Sequence, residues 1–381
     1  MTFSRPVVLL GCTALLAVAL GCPKKDAPPP ADPTPTPGPA TTPAASQPAD
    51  EDPLAVSPED AKQPSCLKPF KATGDDADLT IAGQAFRRAG DVLTSKTADA
   101  DDVYTFGQIT DVKEDTPENL GNVKRLLQWL IAEKADALVV TGDLGESQPS
   151  IESVMRALAQ FPGPVLLMIG NREGLTDFTK AFDAVSPEHS NLVNMNQIRV
   201  YNADDASLIS LPGYFNPAYI HSQDGCRYTP EDVSALTTLM SLASSTAVLA
   251  SHGPPRQESS TGIDRIHEGV NVGDPVLAKF LTTNKIHFGM FGNIHEAGGK
   301  ATDLTGKEEI RADTYVSELY LNPGPADAVR WPLLDGTESI GMAGLLRIKG
   351  KQAMYKVHRL RPGEAAPAEK APAKEPAPET P

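Results

Sequence analysis

From residue 104 onward the chain repeats one pattern: a short apolar run that stops at a polar residue, then a segment with apolar residues at helical spacing. Residues 104–110 read as a strand. Residues 118–135 read as an amphipathic helix, because Leu120, Val123, Leu127 and Ile131 recur along one face. Strands at 137–141 and 165–169 and helices at 151–160 and 175–185 continue the rhythm. Strands alternating with helices predict a largely parallel sheet with helices on its faces. Further on, 192–200 and 207–211 read as strands joined by a turn at 202–205. Residues 230–243, 247–251, 275–281 and 285–291 repeat the helix–strand theme. Strands at 315–321, 344–349 and 353–359 close the domain, and 79–94 forms a leading hairpin turning near Arg87-Arg88-Ala89-Gly90.

The limits of that domain follow from proline. Residues 23–60 and 362–381 hold 12 and 6 of the 35 prolines, a density that removes backbone donors and favours extended, solvated chain. The first 21 residues place one charge, Arg5, before an apolar run too short to span a membrane. That run ends Ala19-Leu20-Gly21-Cys22, which resembles a bacterial lipobox with Cys22 as the lipidated residue. The expected organisation is a lipoprotein signal peptide at 1–21, a Pro/Ala-rich tether at 22–65, a single domain at 66–361 and a disordered tail at 362–381. Such a protein would sit in the bacterial cell envelope, held to a membrane by lipid and facing the periplasm or the exterior. With Cys12 in the signal and Cys22 acylated, Cys66 and Cys226 remain, to form one disulfide or to stay as two thiols. The formal net charge of −15 and the lack of a basic stretch in the domain argue against a nucleic-acid partner. The acidic runs at 99–102 and 204–205 read as solvated loops.

Polar residues at the strand ends carry the chemistry. Asp111, Asp143, Asn171, His252 and the Asn293/His295 pair each follow an apolar run. Ligands of open α/β sheets bind outside the carboxyl ends of strands, so these oxygen and imidazole groups form a candidate cage for a divalent metal. The blocks Asp111-Val112-Lys113, Gly142-Asp143-Leu144-Gly145-Glu146, Gly170-Asn171-Arg172-Glu173, Ser251-His252 and Gly292-Asn293-Ile294-His295 occur in order, with Asn322-Pro323-Gly324 behind them. Together they resemble the five blocks of the calcineurin-like metallophosphoesterases: Asp-x-His, Gly-Asp-x-x-Asp, Gly-Asn-His-Glu, a lone His and Gly-His-x-His. The resemblance implies an α/β fold, a β-sandwich flanked by helices in four α/β/β/α layers. It also implies a phosphoester substrate or phosphate-bearing ligand and a manganese, iron or zinc cofactor. Asp143 would bridge two metals, Asp111 and His295 would face one, and Asn171 and His252 the other.

The departures matter as much. Lys113 stands where a ligand His is expected, and a protonated ammonium has no lone pair. Asn293 replaces another ligand His with a weaker amide oxygen. Arg172 replaces the His that assists the leaving group. With Asn171 it could hold phosphoryl oxygens, but a guanidinium does not give up a proton near neutral pH. Lys113, with Arg172, could instead pair with Asp111 and Asp143 and replace metal charge outright, and His252 and His295 would then be hydrogen-bonded core histidines. The remaining histidines, at 189, 221, 267, 287 and 358, fall outside the blocks and read as structural or exposed. Two functions follow: a metal-dependent phosphoester hydrolase with weakened metal sites, or a catalytically inactive relative serving as an envelope binding or scaffold lipoprotein, which need hold no metal.

Overall fold

The computed structural model describes residues 65–363. The signal peptide, Cys22, the tether before residue 65 and the tail after residue 363 lie outside the described residues. One sheet has six strands in the spatial order Gln352–Arg359, Met342–Lys349, Val103–Ile109, Ala137–Val140, Val165–Leu167 and Leu192–Asn194. The last four run parallel; the first two form a hairpin whose inner strand pairs antiparallel with Val103–Ile109. The other sheet has ten strands. Its centre is the parallel set Ala206–Leu211, Thr246–Ser251, Phe288–Met290 and Leu319–Asn322.

Every central strand is apolar on both faces, and the period of two assigns each residue to a layer. Val139 points between the sheets, where it joins Phe106, Leu166, Leu208, Val248 and Met290. Its neighbours Leu138 and Val140 point outward, onto helices α1 (Pro117–Ala132), α2 (Gln148–Leu158) and α3 (Leu175–Val185). In the second sheet Leu249 faces outward against α4 (Pro230–Met240) and α5 (Pro275–Asn284), through Val233, Leu236, Leu277 and Leu281. Each such side chain, fully buried, contributes on the order of 1.5–3 kcal/mol. The result is the four-layer α/β/β/α sandwich. Three helices begin alike, with an oxygen-bearing cap followed by proline: Thr116-Pro117, Thr229-Pro230 and Asp274-Pro275. In each, the cap side chain accepts a backbone N–H of the first turn.

Two local readings are corrected. The run at 192–200 is not one strand: Leu192–Asn194 ends the six-stranded sheet and Val200–Asn202 belongs to the ten-stranded one. Asn194 turns the chain between them. Its carbonyl accepts from Gln197 and Ile198, and its Oδ1 from the N–H of Asn196, the local bonding that makes asparagine a turn residue. The leading hairpin is a three-stranded meander, Ala77–Ile81, Gln84–Ala89 and Val92–Ser95.

Cys66 and Cys226 form a disulfide across a sequence separation of 160 residues. It fastens the start of the domain beside Arg227, whose carbonyl accepts the Cys66 N–H at 2.9 Å. Closing so long a loop in the unfolded chain predicts that Cys226→Ser lowers stability by about 2–5 kcal/mol. Urea unfolding of wild type with and without dithiothreitol checks this, and unchanged midpoints in both comparisons would contradict it.

Candidate metal centre

Strand ends from both sheets meet at one edge of the sandwich. Asp111 follows Val103–Ile109 and Asp143 follows Ala137–Val140, while His252 directly follows Thr246–Ser251. One donor atom from each lies within 4.8 Å of the other two, and all three residues are buried. Asp111, Lys113, Asp143 and Asn293 all adopt left-handed backbone, with φ of 56°, 68°, 58° and 63°. Four non-glycine residues in that sparsely populated region, gathered at one edge, mark a site that its surroundings over-determine. Backbone bonds hold them there: Lys113 N–H donates to Asp143 O at 2.7 Å and Asp111 N–H to Gly142 O at 3.1 Å. Close approach adds to this. A Cβ on Gly170 would lie 2.3 Å from Asp143 Oδ1, and one on Gly142 would lie 2.5 Å from the Gly170 Cα.

Asp143 Oδ1 accepts the backbone N–H groups of Asn171 (3.1 Å) and Arg172 (3.2 Å) and lies 3.3 Å from His252 Nε2. Asp111 Oδ1 lies 3.0 Å from His295 Nε2, and its Oδ2 accepts from the Thr110 hydroxyl and the Asn293 N–H. Burial alone would raise the Asp111 carboxyl, but the His295 ring, then His252 and Lys113, hold it well below the usual range. Glu173, fully buried, accepts the N–H groups of Leu144 and Gly170 and so ties the second block to the third. Burial and the Asp143 charge push Glu173 up to about 8, against the pull of those two donors.

His252 decides whether a metal fits. Its Nδ1 lies 2.8 Å from the Thr141 carbonyl, so Nδ1 must carry a proton. Asn171 Nδ2 donates to Tyr219 O at 2.8 Å, which turns Asn171 Oδ1 toward His252 Nε2 at 3.1 Å. Nε2 therefore faces two oxygens, from Asn171 and Asp143, and needs either a second proton or a cation. Burial opposes the extra proton; Asp143, Asp111 and Glu173 favour it more strongly, and the His252 pKa is raised. A divalent metal satisfies the same three atoms, since bonds of roughly 2.0–2.2 Å leave adjacent donors about 3 Å apart. The donor set Asp143, Asn171 and His252, with Asp111 beside it, fits one such ion.

Residues 104–297, half of the chain, match the family profile described as calcineurin-like phosphoesterase. The chain belongs to that family. No curated protein sequence matches it. Solved structures similar to it include TT1561 of Thermus thermophilus, at 13% identity and TM-score 0.47 over 68% of this chain and 100% of that one. A dimetal phosphatase from Danio rerio shares 11% identity at TM-score 0.43, over 67% of this chain and 97% of that one. Purple acid phosphatase PPD1 of yellow lupin seeds shares 13% at 0.45, over 72% and 56%.

Against the family's pattern, the three substituted positions behave differently from the sequence reading. Lys113 does not pair with Asp111 or Asp143. Its Nζ bonds Asp327 Oδ2 at 2.8 Å and lies 4.4 Å from the centre of the Trp331 ring, with both charged groups buried. The reason is reach: the ammonium bends to a carboxylate supplied from behind the site, and Trp331 Nε1 donates to that same carboxylate at 3.0 Å. The Lys113 charge still acts on Asp111 but is shared with Asp327. Arg172 is likewise engaged, 2.5 Å from Glu146 Oε1. Asn293 Nδ2 donates to the Tyr214 hydroxyl at 3.0 Å, so its side chain braces the wall while its N–H orients Asp111. His221, read as structural or exposed, is an exposed residue at the rim of the site, 3.4 Å from Glu146. The acidic runs expected only as solvated loops do meet, with Asp99, Asp101 and Asp205 within 4.8 Å of one another at the surface. Glu173 stood inside a quoted block and could have been assigned; Asp327, Trp331 and Tyr214 carry no spacing signal.

The Lys113–Asp327 pair gives a sharp test. Asp327→Leu strands a buried ammonium and should cost about 3–5 kcal/mol, while adding Lys113→Met to it should recover most of that loss. Denaturant unfolding of wild type, Lys113→Met, Asp327→Leu and the double variant measures it; additive losses would mean the two charges are not coupled.

Proposed function

We propose that the protein is a lipid-anchored calcineurin-like phosphoesterase relative that holds one divalent cation, binds phosphoester or phosphate-bearing ligands, and hydrolyses them slowly or not at all. The observation that carries this reading is the buried Lys113–Asp327 pair. It occupies the position where the family's Asp-x-His supplies an imidazole to one metal, and leaves Asp111 bonded to His295 on that side. On the other side Asp143, Asn171 and His252 keep a spacing suited to a manganese, iron or zinc ion.

When bound, the ion supplies positive charge for phosphoryl oxygens. The chain's own groups do the rest. Asn171 is oriented by Tyr219 and His252, and Arg172 presents a guanidinium at the rim, half-neutralised by the partly exposed Glu146. Neither group releases a proton to a leaving alkoxide near neutral pH. That gap favours binding over turnover. The competing reading, a working hydrolase, has one observation behind it: His221 lies beside Glu146, and its backbone N–H donates to the Asn171 carbonyl at 2.9 Å. It is an imidazole in Arg172's neighbourhood.

Metal titration separates the two. The purified protein should take up one manganese or zinc ion per chain, bind inorganic phosphate only when loaded, and turn over bis(p-nitrophenyl) phosphate slowly. Asp143→Asn should abolish both binding events. Two tightly held ions with rapid hydrolysis that disappears in His221→Ala would establish the hydrolase instead. The anchor rests on the lipobox-like Ala19-Leu20-Gly21-Cys22; among the described residues no helix is long and apolar enough to cross a membrane. Cys22→Ser should shift the protein from the membrane fraction to the soluble one or leave an unprocessed precursor. Unchanged partition with lipid would end the lipoprotein reading.

A further inference from the structure

A cavity of about 350 Å³ lies away from the metal centre, between the disulfide-fastened start of the domain, the first turn of α3 and the crossover at 194–199. Its deepest wall is short of acceptors. Arg199 is only 6% exposed, and its guanidinium bonds the protein through Nε and Nη2 alone, both to Ser210. That leaves Nη1 without a protein hydrogen bond. No carboxylate lies within ion-pair distance of Arg199 among the described residues, and burial draws its pKa down to about 10, with Asp232 and Asp91 resisting from further off.

Two asparagine amides line the same cavity with fixed orientation. Asn196 Oδ1 accepts the Ile169 N–H at 3.0 Å, so its Nδ2 must be the other arm, and that buried Nδ2 has no partner. Asn194 Oδ1 accepts the Asn196 N–H, so its Nδ2 is likewise a donor left over. The buried Asn196 Nδ2 carries a real cost if nothing accepts from it, and Arg199 Nη1 and Asn194 Nδ2 offer further donors beside it. Charge at the mouth points the same way. Lys68, Lys71 and Arg88 line it with Arg199, against Asp75 and Asp91, and the Asp91 carboxylate is already engaged by the Lys71 N–H at 2.8 Å. This is a local excess of cations on a chain of net charge −15.

We propose that this cavity is a second ligand site, which takes a small organic oxyanion. The charged end would be received by Arg199, Asn194 and Asn196, and the apolar body would lie against Leu67, Leu175 and the Cys66–Cys226 bridge. The volume suits a molecule of one ring. Oxyanions are what unpaired N–H donors around a guanidinium recognise. The site is independent of the metal centre: it shares none of that centre's residues and needs no metal.

The test uses oxidised protein in chelator, with benzoate, phenyl phosphate and the cation benzamidine as probes, followed by ligand-observed NMR and calorimetry. Benzoate, phenyl phosphate or both should bind and benzamidine should not; the preference between the two anions identifies carboxylate or phosphate as the natural head group. Arg199→Met should weaken binding about tenfold or more. Should that variant fail to fold, Thr179→Phe, which fills the cavity from α3 without altering a charge, decides in its place with the same expected loss. Failure of both anions to bind overturns the proposal, as does binding that the deciding variant leaves unchanged. Phenyl phosphate binding that survives in the deciding variant but vanishes in Asp143→Asn belongs to the metal centre and also overturns it.

Discussion

The Asp143 carboxylate accepts two backbone N–H groups from the Asn171–Arg172 turn and lies 3.3 Å from a histidine of the opposite sheet. One side chain thus joins three strand ends drawn from both halves of the sandwich. The geometry around it leaves little freedom. Gly170 must lack a Cβ because Asp143 Oδ1 fills that space, and Gly142 must lack one because Gly170 does. Glu173 then closes the circuit by accepting from Leu144 and Gly170. The apolar layers fix where the strands run, and this small polar knot fixes how their ends are splayed.

Electrostatics explains why such a knot invites a cation. Asp111, Asp143 and Glu173 are almost fully buried at the same edge of the sandwich, which is costly for carboxylates unless charge of the other sign is close. The structure answers in part: His252 is drawn toward protonation and Glu173 is pushed toward neutrality. Lys113 adds to the pull on Asp111, with Asp327 as its ion-pair partner at 2.8 Å. A divalent ion at His252, Asn171 and Asp143 would relieve the same repulsion without requiring a buried imidazolium.

The alternation of strands and helices and the position of the site were legible in the sequence because both depend on local patterns, while the two-sheet layering was implied only by the family resemblance. Apolar runs such as 137–140 announce a strand buried on two faces, and a polar residue directly after each run announces the strand end. The sequence left Cys66 and Cys226 as one disulfide or two thiols, and the 5.1 Å between their Cα atoms decides for the bond. The partners of Lys113 and Arg172 were not, since a cation's choice among several carboxylates depends on where distant loops pass. Asp327 and Trp331 reach the site from beyond Asn322-Pro323-Gly324, outside every block of the family's pattern. The break at Asn194 was hidden for a related reason: residues 192–200 keep enough apolar character for both sheets, and only the asparagine's bonding shows that the chain changes layer there.

Lys113 also shows that a departure from a family's pattern is rarely one residue wide. An ammonium at this depth cannot stand alone, so its presence requires a buried acceptor, and Asp327 supplies it. That carboxylate in turn needs more than one donor, and Trp331 provides another through its indole N–H. Trp331 then packs its ring against His295, with centroids 4.3 Å apart, beside the Asp111 that His295 contacts. Four side chains from three parts of the chain are therefore coupled. Replacing Lys113 with an imidazole would leave Asp327 buried and short of a charge partner, so the imidazole would be drawn to that carboxylate rather than offered to a metal. Lys113 is held in place by the packing around Asp327 and Trp331 as much as by its own charge.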